Sequence, residues 1–127
     1  MDIDEVRAWF VARGHGIGAN DRLLYERVAG QLEPGETLEL TTPATCNNLV
    51  GTLVLTDRRI IHIAGHPLGM TVTQAARHDV TSVKSGGLLV PKTTIQHRGG
   101  TMRLVGGLKP VLSAMAAALR PAESQPK

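Results

Sequence analysis

The sequence predicts a mainly β domain of the α+β kind. Two helices come first, about seven short strands follow as a small antiparallel barrel or sandwich, and one helix closes the chain. Three observations carry this. Apolar residues recur at helical spacings of three and four only near the two ends. Between Glu36 and Val105 they alternate with polar residues or form short Val-, Ile- and Leu-rich runs. Glycine, proline and Asx residues break that region at the intervals expected of a strand-rich fold.

The first helix begins at Asp2. Asp2 and Glu5 have the spacing of a capping box, and Ile3, Val6 and Phe10 fall on one face behind it. Gly14-His15-Gly16-Ile17-Gly18 is a flexible joint. A second helix starts from Asn20 or Asp21 as N-cap, with Leu24, Val28 and Leu32 inward. Gly30, Pro34 and Gly35 close that region. Strands are then expected over residues 37–42, 49–56, 59–64, 70–76, 80–85, 93–98 and 101–105. Gly51 reads as a bulge, residues 65–69 as a loop, and 43–48 as a polar connection. Asp57-Arg58 is a tight turn in which Asp57 bonds its own backbone. Gly99-Gly100 is a two-residue hairpin turn, because both positions tolerate positive φ. After Gly106-Gly107, Pro110 suits a first helical turn, and Val111, Leu112, Met115 and Leu119 form an apolar stripe. Residues 121–127 read as a loose tail.

Composition bounds the function. At 127 residues the chain is one domain's worth, and 42% hydrophobic with 20% charged residues is a globular balance. Trp9, Phe10 and Tyr25 are the only aromatics, so the β core must be Leu, Ile, Val and Met. Cys46 is the sole cysteine, which excludes an internal disulfide framework and a Cys-based structural zinc site. No apolar run approaches 18 residues, and the first residues are acidic where a signal peptide would be basic. The expected location is the cytoplasm, including its membrane face. Charge is divided: residues 1–42 carry eight acids and four arginines, while residues 43–127 carry three acids and ten bases. The basic half attracts phosphates, and the acidic segment offsets the field where it folds back.

Certain residues carry a resemblance. Leu32-Glu33-Pro34-Gly35-Glu36, and then Gly51, Leu53, Thr56 and Arg59 within Gly51-Thr52-Leu53-Val54-Leu55-Thr56-Asp57-Arg58-Arg59-Ile60-Ile61, resemble the phrases of bacterial pleckstrin-homology-like (GRAM-like, YokE-type) domains. Asp79-Val80-Thr81-Ser82-Val83 is similar to a segment that such domains place in the fifth strand. The likeness covers roughly residues 22–120. It implies a seven-stranded PH-like barrel with a C-terminal capping helix, and it implies no activity. The expected organisation is a helix and Gly-rich joint over 1–19, a PH-like domain over 20–120 and a flexible tail over 121–127. Arg59, opening the return strand, is expected to lay its stem along the barrel.

No constellation of catalytic residues is evident. Cys46 lies on a connection with no helix start behind it to activate a thiolate. His62 and His66 share a face only on a helix, and His62 belongs to a strand. His15, His78 and His97 are isolated. The glycines at 14, 16 and 18 follow no strand and lack the dinucleotide-binding spacing. Asp57 and Asp79 are the only acids between residue 43 and the tail, so no carboxylate pair stands out. No catalytic residue, cofactor or metal site is expected, and the chain reads as a non-catalytic binding module.

Three kinds of partner fit these features to different degrees. The leading expectation is a protein partner or a homo-oligomer. Trp9 adjoins Phe10, and adjacent helix positions cannot share one core face, which leaves Trp9 as an anchor. The alternative is weak peripheral binding to anionic lipid headgroups. The first strand connection, where many eukaryotic PH domains hold phosphoinositides, has no base here. Instead Leu88, Leu89 and Val90 form an apolar loop between Lys84 and Lys92, with Arg98 and Arg103 in the same basic half. Nucleic acid is disfavoured, because residues 26–127 contain no aromatic side chain on which bases would stack.

Overall fold

The computed structural model describes residues 1–13, 21–66 and 69–119. Among these, the elements are α1 (Ile3–Ala12), α2 (Asp21–Gln31), β1 (Leu38–Cys46), β2 (Leu49–Thr56), β3 (Arg59–His66), β4 (Gly69–Ala76), a 3-10 turn (Arg77–Asp79), β5 (Val80–Gly86), β6 (Lys92–His97), β7 (Gly100–Val105) and α3 (Lys109–Leu119). The Gly14–Gly18 joint, the Asn20 cap and the 121–127 tail lie outside the described residues. The chain divides into two compact units, one over Met1–Leu38 and one from Glu39 onward. The sequence reading drew its boundary at residue 19, which put α2 with the strands.

In the first unit the capping box forms as expected. The Asp2 carboxylate accepts from the Glu5 amide at 2.9 Å, and the Glu5 carboxylate accepts from the Asp2 amide at 3.3 Å. Val6 and Phe10 are buried. Phe10 stacks at a tilt on Tyr25 of α2, with ring centroids 5.3 Å apart, and Trp9 meets Phe10 edge-on at the same distance. Among the described side chains of α2, Tyr25 and Val28 are buried, whereas the expected Leu24 and Leu32 are half-buried. A tight turn follows, in which the Glu36 amide donates to the Glu33 carbonyl at 3.0 Å and Gly35 has φ +80°. Pro34 and Gly35 thus occupy the two central places of a type II turn. The Glu36 carboxylate bonds back to the Glu33 amide at 2.9 Å.

In the second unit the seven strands form one antiparallel sheet in the order β4-β3-β2-β1-β7-β6-β5. The expected seven strands and C-terminal helix are present, but the expected closed barrel is not. The sheet is open, with β4 and β5 as its edges. These strands are consecutive, yet the 3-10 turn separates them instead of a hairpin. Arg77 holds that corner. Its amide donates to the Arg58 carbonyl at 2.9 Å. Its guanidinium bonds the Glu39 carboxylate and the Thr56 carbonyl at 3.1 Å, and the Ala118 carbonyl at 3.2 Å. The last bond satisfies a carbonyl in the final turn of α3, which helical bonding leaves open.

The core of this unit is aliphatic, as its composition requires. Leu53, Leu55, Ile60, Ile95, Met102 and Leu104 from the strands meet Leu112, Met115 and Leu119 from α3. The β2–β3 register pairs Leu55 with Ile60 and Val54 with Ile61. Successive residues face opposite sides of the sheet, so these strands are buried on both faces, since Val54 and Ile61 are also fully buried.

Several connections differ from expectation. β1 runs on through residues 43–46, and Asn47-Asn48 alone turn the chain, with φ 49° and 70°. This is the positive-φ pair of a two-residue hairpin turn, which asparagine tolerates. β3 and β4 extend into the region read as a loop. The β6–β7 turn is Arg98-Gly99, one residue earlier than predicted, because His97 pairs with Gly100. In the β2–β3 turn Thr56 bonds the backbone. The Thr56 hydroxyl accepts from the Arg58 and Arg59 amides at 3.1 and 3.0 Å and donates to the Arg59 carbonyl. Arg59 is half-buried on β3 and bonds Gln74 of β4.

Gly51 is required by close approach. A Cβ there would sit 2.2 Å from the Ile63 carbonyl oxygen, a backbone atom that cannot swing aside, whereas Gly30 of α2 has open space around it. Gly51→Ala is expected to lower stability by about 2 kcal/mol or more, and Gly30→Ala to raise it by up to about 1 kcal/mol. Urea denaturation of the two variants against the parent chain checks both signs.

Candidate functional site

The structure separates the residues singled out in the sequence. Trp9 is half-buried. The Arg13 guanidinium lies 3.8 Å above its ring centroid, and Arg13 also donates to the Trp9 carbonyl at 3.0 Å. One face of the indole is therefore covered by a cation from its own helix end. Leu88 and Leu89 are different: they are 97% and 94% exposed at the β5–β6 tip.

The tip is shaped locally. Gly87 has φ +93°, and a Cβ on it would fall 2.1 Å from the Val90 carbonyl oxygen. Only glycine fits that bend. At the base of the loop the Pro91 carbonyl accepts from the Gly106 amide at 2.8 Å, tying the loop to the β7–α3 linker. Val90 of the tip, Val105 at the end of β7 and Leu108 of the linker are also exposed.

The strand register places the bases. Lys84 pairs with Thr94, and Thr94 pairs with Arg103. Gly86 pairs with Lys92, and Lys92 with Val105. Paired residues share a face, so Lys84, Lys92 and Arg103 lie on one face of β5–β6–β7, and all three are exposed. Arg98 lies away from them, at the far end of β6, where its guanidinium is 3.8 Å from the Asp79 carboxylate and His78 is 3.6 Å from the same group. Residues 80–119 contain Lys84, Lys92, Arg98, Arg103 and Lys109 and no acid.

A cavity of about 270 Å³ opens beneath the tip, lined by Ser85, Gly87, Lys92, Thr93, Lys109 and Ser113 among others. Sequence reading missed it. Its walls come from the β5–β6 hairpin on one side and from α3 on the other, and no local pattern brings these two together.

The candidates for chemistry are placed plainly. Cys46 is buried at the end of β1, not on a loop, and burial pushes its thiol up to about 11, so it is protonated at neutral pH. His62 is buried on β3, with Nε2 2.7 Å from the Ala44 carbonyl oxygen. A carbonyl only accepts, so Nε2 carries the proton and has no lone pair for a metal. Nothing is described of the His66 side chain. Among the described residues no three His, Cys, Asp or Glu side chains converge on a metal position, and no helix is long and apolar enough to cross a membrane. No protein-family model matches the chain, and no curated protein matches its sequence.

Burial lowers the pKa of His62, and the bond to Ala44 opposes the shift only in part. Its folded pKa lies below the unfolded value near 6.5, so the folded state binds fewer protons. This contribution is level above about pH 7 and falls as pH drops through 6.5, with a slope of at most about 1.4 kcal/mol per pH unit. Urea denaturation at pH 7.5 and 5.5 is expected to show a smaller loss for His62→Gln than for the parent chain.

Proposed function

We propose that this chain is a non-catalytic binding module that docks peripherally on anionic phospholipid surfaces through the β5–β6 tip. The observation that carries the reading is the pair Leu88 and Leu89, almost fully exposed at a constrained bend. Exposed apolar side chains grouped with bases mark an interaction surface. A convex tip of two leucines suits a soft interface, where apolar ends enter the acyl boundary and ammonium groups stay among the phosphates. Lys84, Lys92 and Arg103 surround it on one face, and the acid-free stretch of residues 80–119 gives the charge complement. Each base near an anionic surface adds on the order of 1 kcal/mol. This is the fit expected of a reversibly bound protein at the membrane face of the cytoplasm.

A protein partner or a second copy of the chain is the competing occupant of the same leucines, and Trp9 serves that reading less well under its arginine. Co-sedimentation with phosphatidylglycerol–phosphatidylcholine vesicles separates the two. The parent chain is expected to bind, more weakly as salt rises, and Leu88→Asp/Leu89→Asp to bind at least about tenfold more weakly. Light scattering on both proteins supplies the other outcome. Absence of vesicle binding, with an oligomer that the double variant dissolves, would replace the membrane by self-assembly.

A further inference from the structure

We propose that the cavity beneath the tip is a subsite for the phosphate of an anionic lipid headgroup, one that prefers a phosphate monoester. This rests on the membrane reading, which brings headgroups to the tip but does not by itself require a pocket. The cavity opens on the loop that carries Leu88 and Leu89, and Gly86, Gly87 and Pro91 form part of its wall. Membrane contact at the tip therefore places headgroups at the cavity mouth.

Its chemistry suits a phosphate. Lys109 belongs to its lining, together with the hydroxyl residues Ser85, Thr93 and Ser113, while Lys92 joins the wall next to Thr93 and carries its side chain on the other face of the sheet. Ammonium and hydroxyl donors satisfy phosphate oxygens, and charge-assisted bonds of this kind are the strong ones. Thr93 is 6% exposed and stands at the cavity wall, so a hydroxyl is set into an otherwise covered position. Glycines at 86 and 87 leave the backbone of the wall unshielded by side chains. The first turn of α3 supplies Lys109 and adds the favourable end of its dipole. Nothing acidic lies between residues 80 and 119 to oppose an anion. At about 270 Å³ the space holds a phosphate with part of its glycerol and not a whole lipid.

A monoester carries more charge and one more unesterified oxygen than a diester. The subsite therefore distinguishes lipids of different headgroup, while the surface field responds only to charge density. Phosphatidic acid and phosphatidylglycerol vesicles, adjusted to equal zeta potential, form the test. The parent chain is expected to bind phosphatidic acid about tenfold more tightly, the worth of one further charge-assisted bond. Ser113 is an exposed helical position, and an acid near a helix start is compatible with folding. Ser113→Glu, with an unchanged thermal melt, is expected to lose that excess and keep the phosphatidylglycerol binding. Lys109→Gln is a second variant expected to act in the same direction.

Three results overturn the proposal, each differently. Equal binding of the two lipids, or a Ser113→Glu protein that keeps the preference, removes the subsite and leaves tip docking intact. Absence of binding to any vesicle removes the membrane reading. Glycerol 3-phosphate supplies the soluble arm, read from the amide NMR signals of Gly86, Gly87 and Ser113. Shifts there without vesicle binding, abolished by Ser113→Glu, would reassign the cavity to free phosphate esters and overturn the lipid source.

Discussion

The second unit depends on one strand bonding along both of its edges. β1 lies between β2 and β7 and so joins β4-β3-β2 to β7-β6-β5. Its ladder to β7 is short, with Thr45 opposite Val105 and Cys46 opposite Leu104. Side chains extend the seam beyond that ladder. The Asn47 amide and its side chain bond Arg103 and Thr101 of β7. At the other end the buried Thr42 hydroxyl accepts from the Leu108 amide at 2.9 Å and donates to the Pro43 carbonyl. Polar side chains stand in for strand pairing where the two sets of strands diverge. Each buried bond also satisfies a group that would otherwise be costly to desolvate. The linker that Thr42 holds also braces the β5–β6 tip, so the candidate surface inherits its geometry from β1.

The parts of the fold legible in the sequence were those set by neighbouring residues. The Asp2–Glu5 capping box is a local device, and so is the Pro34-Gly35 turn. The number of strands and their places along the chain followed from turn residues and β-branched runs. What escaped was set by partners far along the chain. Pro43 and the small residues around it looked like a connection, yet β1 needs them to reach β7. Tyr25 displaced Leu24 as the inward residue of α2 because Phe10 of α1 offers it a ring. Arg77 carried no signal at all: its role exists only where a β2 carbonyl, a β1 carboxylate and the end of α3 come within reach of one guanidinium.

The candidate site was legible in the same uneven way. Two leucines and a valine between lysines could be read from the chain, but their orientation could not, since a strand extension would have hidden them. Register decided which bases belong together. Lys84, Lys92 and Arg103 share a face because of their pairing, while Arg98, close in sequence, sits in the β6–β7 turn beside Asp79. The distinction between a basic composition and a basic surface is therefore one of strand pairing. Cys46 makes the same point in reverse: a residue with reactive chemistry becomes a packing residue once its strand is placed.

The bend at Gly87 has a consequence for the cost of contact. A loop that orders only on meeting its partner gives up roughly 1–2 kcal/mol of backbone entropy for every residue it fixes. Here the backbone is already committed, by the left-handed glycine at one end and by the Pro91–Gly106 bond at the other. What remains to be ordered is mainly the rotamer freedom of two leucines, about 0.5–1 kcal/mol each. A short apolar tip with so little disorder to lose can make use of a small buried area, and it can also let go quickly.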